Sequence, residues 1–328
     1  MITNNTDISI PMSIWLASDD YDYADDAKNI SATNLLKSYR NIIAYKRYHY
    51  PEQFSKDLLL PYYISNKLEG DVMDRIAMRF GTAIHEAVEK SINNNYKDAL
   101  TKLGHLDTII DNMHINPEKP TKGINIYTEQ RTSKKIDEFT ISGQFDIVFN
   151  GELQDIKTTS TFSWSNPKVH NKYIIQGSIY RWLNPELITK DYIVINFIFT
   201  DFNKFMTGKD NYPPSKIVSR KFPLWSLQET QLFIENKIRE LKKYWNEPLE
   251  NIPCCDEEML YLTPSKFKYY RLGFKEGRKA TKNFDTFHEA SLFMAQNGNI
   301  GEIVEDKPKA FYCPFCDLTE PETFTFSS

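Results

Sequence analysis

The segment that most restricts the fold lies near the middle of the chain, at residues 145–157, and reads FDIVFNGELQDIK. An Asn-Gly pair between alternating apolar residues is the strongest short-range signal for a β-hairpin with a two-residue type I′ turn. With Asn150 and Gly151 in the turn, the strand register continues outward to Asp146 opposite Asp155. The sequence therefore predicts two aspartates that face each other across one strand pair.

Two facing carboxylates repel each other, so this arrangement needs compensation. At a separation of about 5 Å the repulsion costs roughly 3 kcal/mol at an effective dielectric constant of 20, and less than about 1 kcal/mol in bulk water. Lys157 shares the face of both acids by strand periodicity and is expected beside Gln144. One interpretation is a solvated face on which Lys157 pairs with one acid. Apolar residues cover both faces of the hairpin, so we favour a site for a hard divalent cation such as Mg²⁺ or Mn²⁺.

Composition sets the limits for the whole chain. Its 328 residues are enough for one large domain or two, and the net charge is only −4. A weakly acidic balance argues against a protein that coats DNA through bulk charge, although local basic patches can still bind nucleic acid. The longest clean apolar run, residues 192–199, is too short to span a bilayer. We expect a cytoplasmic protein without a membrane partner.

The pattern of elements predicts an α/β fold in three regions. These are an acidic N-terminal arm (1–30), a central domain (31–247) and a basic, cysteine-containing C-terminal subdomain (248–328). Helical periodicity is found at residues 31–50, 72–93, 171–183 and 227–245. Strand patterns are found at residues 124–131, 138–149, 152–158 and 191–200. The three consecutive strands indicate an antiparallel meander flanked by helices.

Two of the predicted helices carry polar groups with chemical potential. In the helix at 72–93, Gly81 stands one turn before His85, so a neighbouring element can approach closely beside an imidazole. A lone histidine of this kind is also common as an ordinary core or boundary residue. In the helix at 171–183, Tyr173, Gln176 and Tyr180 share one face.

Four short motifs, in order, resemble the RecB-like branch of the PD-(D/E)XK nuclease superfamily over about residues 31–200. The matching motifs are Gly-x-x-x-His, Gly-x-x-Asp, Asp-x-Lys and Gln-x-x-x-Tyr, which fall here on Gly81 and His85, Gly143 and Asp146, Asp155 and Lys157, and Gln176 and Tyr180. The resemblance implies the core of that superfamily: a helix, a three-stranded antiparallel meander, a second helix, a further strand and flanking helices.

The resemblance also implies a divalent metal site and a set of catalytic residues. The implied ligands of Mg²⁺ or Mn²⁺ are His85, Asp146, Asp155 and the backbone carbonyl of Ile156, with Glu129 as an additional candidate. The implied catalytic residues are Asp146, Asp155, Lys157, Gln176 and Tyr180. Lys157 would orient the attacking water and stabilise charge on the phosphate. Gln176 and Tyr180 would position the nucleic-acid strand or support Lys157.

The function so implied is hydrolysis of phosphodiester bonds in DNA, single- or double-stranded. The Gln-x-x-x-Tyr helix favours an exonuclease that acts in recombination, repair or phage DNA processing, in partnership with a single-strand annealing protein or a helicase. The alternative is a non-cleaving nucleic-acid-binding subunit of a helicase or annealing complex. A metal-binding structural protein is a third interpretation, but it leaves Lys157 and Gln176 without a role.

The cysteines depart from the pattern of many RecB-like exonucleases, which place one cysteine before the nuclease motifs and three after them. Here all four follow the motifs, at Cys254, Cys255, Cys313 and Cys316. They suit a zinc site or a degenerate iron–sulfur site, and free buried thiols are the alternative.

Two basic segments are candidates for nucleic-acid contact. The more basic one, residues 266–282, has a single acid, and the cations proposed to contact nucleic acid are Lys266, Lys268, Arg271, Lys275, Arg278 and Lys279. A solvated surface balanced by neighbouring acids is the alternative. The helix at 31–50 also places Lys37, Arg40, Lys46 and Arg47 beside tyrosines, which is equally typical of an ordinary amphipathic helix.

Overall fold

The computed structural model describes residues 2–18, 26–59, 70–253, 266–275 and 277–306. The chain divides into two compact units. The first unit comprises residues 1–37 and 42–251, and the second comprises residues 38–41 and 252–328.

Regular elements occupy most of the described chain. The helices are α1 (Ile10–Ala17), α2 (Ala32–Leu35), α3 (Tyr39–His49), α4 (Ile76–Lys102), α5 (Asp107–Ile110), α6 (Pro167–Leu183), α7 (Leu227–Tyr244) and α8 (Phe287–Gln296). The strands are β1 (Asn29–Ser31), β2 (Met113–Ile115), β3 (Ile124–Ile136), β4 (Phe139–Phe149), β5 (Glu152–Thr159), β6 (Tyr192–Phe199), β7 (Ile217–Pro223), β8 (Lys266–Tyr270), β9 (Lys282–Phe284) and β10 (Glu302–Asp306).

The first unit is built on a mixed sheet that has seven strands within the described residues. The strand order is β2-β3-β4-β5-β6-β7, and β1 adds to β4 in parallel. Strands β3, β4 and β5 form the predicted antiparallel meander, and α6 then connects β5 to the parallel strand β6. The predicted α/β class is confirmed as a mixed α/β fold. Strands β1, β2 and β7 of this sheet were not predicted.

The hairpin between β4 and β5 confirms the predicted turn. Asn150 and Gly151 both have positive φ, 47° and 83°, as a type I′ turn requires. Cβ-free Gly151 is needed there, because an added Cβ would lie 2.2 Å from Oγ1 of Thr189. The register then follows the prediction from Phe149 opposite Glu152 onward.

The same register stops earlier than predicted. The last β4–β5 pair is Ile147 with Gln154, so Asp146 and Asp155 do not form the next ladder pair. Instead, the Asp146 carboxylate accepts a hydrogen bond from the backbone N–H of Ile156 at 2.8 Å. Because a side chain takes the place of a main-chain partner, β4 separates from β5, which remains paired with β6 on its other edge.

A consequence of this separation is that the predicted neighbours Lys157 and Gln144 belong to different strand pairs. Lys157 pairs with Phe197 of β6. Gln144 pairs with Arg131 of β3 and donates to the Glu129 carboxylate through Nε2 at 2.9 Å. The β4–β5 ladder ends at Ile147 with Gln154, so it does not include the predicted pair of Lys157 with Gln144.

Helix α4 is longer than the predicted helix and follows a 3-10 turn at Val72–Arg75. Every fourth residue from Ile76 to Leu100 is apolar or aromatic. From Ile84 onward this ridge packs on a core cluster that includes Ile147 of β4 and Ile156 of β5. This packing positions the helix across the separated hairpin. The first members of the ridge, Ile76 and Phe80, remain exposed.

The predicted helix at 31–50 is two helices, α2 and α3, and its last two cations are buried. The Lys46 ammonium donates to the carbonyl of Asn29 at 2.6 Å, and burial lowers the pKa of Lys46 to about 8. The Arg47 guanidinium, 1% exposed, donates to the carbonyls of Trp245 and Glu247. Both residues hold backbone segments of the first unit together, which argues against the nucleic-acid interpretation of this helix.

Other local signals agree with the observed ends. A capping box of Ser226 and Glu229, a Ser-x-x-Glu pattern readable in the sequence, begins α7. Asn166 caps α6, whose first residue is Pro167. The N-terminal region contains α1 and ends in β1, so it is regular over part of its length. None of the described helices combines the length and the apolar character needed to cross a bilayer.

The second unit contains an antiparallel sheet with the order β10-β8-β9, together with α8. Phe267 of β8 contacts Phe287 of α8, and Tyr269 of β8 contacts Phe293 of the same helix. These odd-numbered residues define the covered face of β8. Lys266 and Lys268 therefore lie on the other face. The four cysteines lie outside the described residues.

Candidate metal centre

Strands β3 and β4 bring two acids together at the point where β4 leaves β5. Glu129 and Asp146 lie between the ladder pairs Thr128 with Ile147 and Gln130 with Phe145, and are not themselves a ladder pair. Glu129 has φ of 48°, a left-handed conformation that is uncommon for a residue with a long side chain. Strained residues of this kind cluster at functional sites.

Helix α4 adds an imidazole to these acids. Nδ1 of His85 lies 3.4 Å from Oδ2 of Asp146 and 3.9 Å from Oε1 of Glu129. Ligand atoms of the three residues all lie within 4.8 Å of one another, which is the spacing of side chains that share one cation. No other group of three or more such side chains meets this spacing in the described part of the chain.

The hydrogen bond made by Nε2, the other ring nitrogen of His85, determines whether Nδ1 presents a proton or a lone pair to the acids. Nε2 contacts the carbonyl oxygen of Ile156 at 2.9 Å, and a carbonyl can only accept a hydrogen bond, so Nε2 carries the proton. In the neutral ring, Nδ1 then presents a lone pair to two carboxylates. Three electron-rich groups in contact need a positive charge between them, which a proton or a metal ion can supply. The donor set, one imidazole and two carboxylates, fits a divalent cation.

The raised pKa of His85 reflects this need for a positive charge between the three groups. Burial alone lowers the pKa of His85, but the hydrogen bond and charge of Asp146, with smaller contributions from Ile156 and Asp155, raise it to about 9. At neutral pH the imidazole of the metal-free protein is therefore protonated. A cation that binds here replaces that proton.

The pKa of Glu129 is raised as well. Burial and then the Asp146 charge raise the pKa of Glu129 to about 7, although His85 and the hydrogen bond from Gln144 lower it. Glu89, one turn after His85 on α4, also raises this pKa and thus belongs to the surroundings of the site. Sequence reasoning missed Glu89, although its i, i+4 spacing from His85 was a usable signal.

Asp155 lies next to this group and holds a lysine. It is 2% exposed, accepts a hydrogen bond from Lys157 through Oδ1 at 2.9 Å, and has Oδ2 at 2.7 Å from the same ammonium. Oδ2 is buried and accepts no hydrogen bond with acceptable geometry. Burial raises the pKa of Asp155, Lys157 counteracts that rise, and the charge of Asp146 adds to it.

Lys157 remains positively charged in this setting. Burial by itself lowers the pKa of Lys157, but the carboxylates of Asp155 and Asp146 outweigh burial and raise the pKa above its usual value. About a quarter of the side chain, 27%, is exposed, so the ammonium can reach a molecule in solvent.

The predicted face of α6 adjoins this pair. Gln176 Nε2 donates to the hydroxyl oxygen of Tyr180 at 2.7 Å. Burial raises the pKa of Tyr180 and the Asp155 charge adds to the rise, whereas Lys157 lowers it, so the phenol stays neutral. Burial raises the pKa of Tyr173, and the charges of Lys157 and Asp155 also act on it, as expected for a residue on the same predicted face of the helix.

Two glycines of the motifs allow the elements to approach. A Cβ at Gly143 would lie 2.9 Å from both the Tyr180 ring and Leu183, so only glycine lets α6 pack this closely on β4. A Cβ at Gly81 would lie 3.3 Å from Oγ1 of Thr158, so α4 runs close to β5 one residue beyond Lys157.

The sequence-predicted residues thus fall into distinct groups. His85, Glu129 and Asp146 form one cluster, and Asp155 with Lys157 forms an adjacent ion pair close to Tyr180. The Ile156 carbonyl, predicted as a ligand, accepts a hydrogen bond from Nε2 of His85. The cations proposed to contact nucleic acid belong to the second unit: Lys266, Lys268, Arg271, Lys275, Arg278 and Lys279.

Comparisons with known proteins add little to this geometry. No protein-family model matches the sequence, and no curated protein matches it. Among solved structures, SSO0001 is 15% identical over 72% of this chain and 83% of its own, with a TM-score of 0.37. A phage-related exonuclease from Haemophilus somnus 129PT is 19% identical over 37% of this chain and 59% of its own, with a TM-score of 0.23. At TM-scores this low, neither similarity carries an argument.

Proposed function

We propose that this protein is a divalent-metal-dependent nuclease that hydrolyses phosphodiester bonds in DNA. The observation that carries the proposal is the convergence of His85, Glu129 and Asp146 beside the ion pair of Asp155 and Lys157. A cation next to a partly buried, positively charged lysine suits an anionic substrate whose charge increases during the reaction. The motif order of RecB-like PD-(D/E)XK nucleases agrees with this chemistry.

In this proposal Mg²⁺ or Mn²⁺ is held by the side chains of His85, Glu129 and Asp146. Asp155 was predicted as a further ligand; its buried Oδ2 atom lies 2.7 Å from the Lys157 ammonium, so binding to the cation would require this ion pair to open. The Ile156 carbonyl orients the imidazole through Nε2, a supporting role that replaces its predicted role as a ligand. When bound, the cation supplies a Lewis acid that lowers the pKa of water and stabilises negative charge on the phosphate.

Lys157 is the catalytic cation of the chain itself. Asp155 holds the ammonium through Oδ1, and the exposed part of the lysine faces the substrate. There it orients the attacking water and stabilises the developing charge on a non-bridging phosphate oxygen. Tyr180, fixed by Gln176, packs beside the pair and keeps the lysine in place.

An exonuclease is the more specific form of the proposal, since the Gln-x-x-x-Tyr helix of the resemblance carries that preference. A role in recombination, repair or phage DNA processing, with an annealing protein or helicase as partner, belongs to the same proposal.

The test is cleavage of end-labelled single- and double-stranded DNA in Mg²⁺, Mn²⁺ or EDTA. We expect metal-dependent cleavage by the wild type and loss of at least about 100-fold in Asp146→Asn and Lys157→Met. Matched controls are Asp210→Asn and Lys209→Met. They remove the same charges from two exposed residues that are adjacent to each other in the chain, and they should leave the cleavage rate unchanged.

Cleavage in EDTA, or full activity of both site variants, contradicts the proposal. Metal-dependent DNA binding without cleavage under any condition supports the alternative, a non-cleaving nucleic-acid-binding subunit.

A further inference from the structure

The second unit has two surface cavities that share Lys268 but differ in charge. The larger, of about 550 Å³, is lined by three lysines and three acids: Lys266, Lys268, Lys282, Asp285, Glu289 and Asp306. Within it Lys266 forms an ion pair with Asp285. Its charges are therefore balanced by the protein itself.

The smaller cavity, of about 350 Å³, has a different lining. Lys268, Arg278 and Lys279 contribute three cations, and Tyr270, Ala280 and Asn283 complete the wall. No acid lines it among the described residues. It is thus a concentrated positive site in a chain of net charge −4.

The structure holds two of these cations in place. Nη1 of Arg278 donates to the carbonyls of Leu272 and Gly273, at 2.8 and 2.9 Å, which fixes the guanidinium and leaves its Nε and Nη2 groups as further donors. Lys268 extends from the open face of β8, opposite Asn283 of β9, and its ammonium lies 2.8 Å from the Asp306 carboxylate. Lys279 forms no ion pair with any described residue.

A fixed guanidinium, two ammonium groups and an amide around one cavity match the oxygen atoms of a phosphate. We infer that this pocket binds an internal phosphodiester of a nucleic-acid strand and anchors that strand to the protein. The inference deepens the proposed function, because the anchored strand would be the nuclease substrate. The inference also reduces the number of predicted contacts in the basic segment. Lys266 lines only the larger cavity, whereas Lys268, Arg278 and Lys279 line the smaller one and form the site.

The test measures binding of a fluorescein-labelled DNA duplex by anisotropy, in EDTA, with the full chain. For the Lys268→Gln, Lys279→Gln double variant we expect the Kd to rise about tenfold and the slope of log K against log salt to fall by about 2, one per cation. The control is Lys282→Gln, which removes one positive charge from the adjoining strand β9 by the same type of substitution. Lys282 lies over the rings of Phe284 and Phe293 and lines only the larger cavity, so the Kd should change less than twofold.

Two further arms identify the source of the phosphate. Duplexes with a 5′-phosphate and with a 5′-hydroxyl should lose equal affinity in the double variant, whereas a loss confined to the 5′-phosphate duplex overturns the assignment to an internal phosphodiester. Wild-type affinity in the double variant, or an equal loss in Lys282→Gln, also overturns the inference. The variants are compared at equal far-ultraviolet circular dichroism.

Hydrolysis of bis(4-nitrophenyl) phosphate in Mn²⁺ separates this inference from the proposed function. The pocket variants should hydrolyse this small diester as the wild type does, because the pocket is not part of the metal centre. If the wild type hydrolyses neither this diester nor DNA, the proposed function fails while the binding result still decides the pocket.

Discussion

Nδ1 of His85, on helix α4, lies 3.4 Å from Oδ2 of Asp146, on strand β4, although the two residues are 61 positions apart in the chain (146 − 85). Nε2 of His85 already donates a hydrogen bond to the Ile156 carbonyl, so Nδ1 is the ring nitrogen that faces the carboxylates. The atom that faces the carboxylates is therefore the one that must be either protonated or bound to a cation.

Replacing His85 should weaken metal binding directly. We expect His85→Gln to lower Mn²⁺ affinity at least about 10–100-fold, the range found when even a supporting group of a metal site is lost. Isothermal titration calorimetry measures the change. His105→Gln, which alters an exposed histidine, is the control and should bind Mn²⁺ as the wild type does. Equal affinity in the two variants would exclude His85 as a ligand.

Metal affinity should rise with pH. The metal-free protein holds a proton on His85 below a pKa of about 9 and on Glu129 below a pKa of about 7, and a cation must displace both. The logarithm of the Mg²⁺ binding constant should therefore rise with a slope of about 1 between pH 7 and 9 and approach about 2 below pH 7. Calorimetric titrations across this range measure it, and a flat profile would contradict the assigned ligands.

The left-handed backbone at Glu129 should lower the free energy of unfolding of the protein. Glu129→Gly and Glu129→Ala both remove the ligand, so both should weaken metal binding. Only glycine relaxes the positive φ, so Glu129→Gly should exceed Glu129→Ala in free energy of unfolding by about 1 kcal/mol in EDTA. Urea denaturation measures the difference, and a more stable alanine variant would show that the backbone there is unstrained.

Removing Lys157 should leave Asp155 buried without its cation. We expect Lys157→Met to lower the free energy of unfolding by about 2 kcal/mol at pH 8, less than the roughly 3–5 kcal/mol of fully buried pairs because 27% of Lys157 is exposed.

The loss should shrink at low pH. Burial raises the pKa of Asp155, so the folded protein binds more protons than the unfolded chain, and stability falls as pH rises from about 4 through that raised pKa. Without Lys157 the pKa rises further and the effect grows. Adding Asp155→Asn should recover most of the loss at pH 8. A loss that is the same at pH 5 and pH 8 would contradict this account.

Packing at Gly143 gives a test of how α6 is placed. Gly143→Ala puts a Cβ 2.9 Å from the Tyr180 ring, which should cost about 1–3 kcal/mol of unfolding free energy and displace the tyrosine. Gly104→Ala is the comparison, since it meets no atom within 4 Å and its cost comes only from the backbone at φ of 81°. A smaller cost at Gly143 than at Gly104 would mean that α6 can move away freely.

The sequence alone determined the features that depend on neighbours along the chain. Asn150 and Gly151 define their turn because only their own φ angles are involved, and the capping box at Ser226 and the ridge of α4 follow from spacing within one helix. Strands β1, β2 and β7 were not predicted because their own residues carry little strand signal. β1 and β2 have three residues each, and most side chains of β7 are exposed, so all three depend on pairing with a neighbouring strand.

The tertiary structure decided where the predicted acids point. A register counted from the turn placed Asp146 opposite Asp155, but the Asp146 carboxylate binds the backbone of Ile156, the strands part, and each acid takes a different partner. Asp146 turns to His85 and Glu129, and Asp155 turns to Lys157. Which groups share a cation depends on contacts between distant segments, and local periodicity carries no information about such contacts.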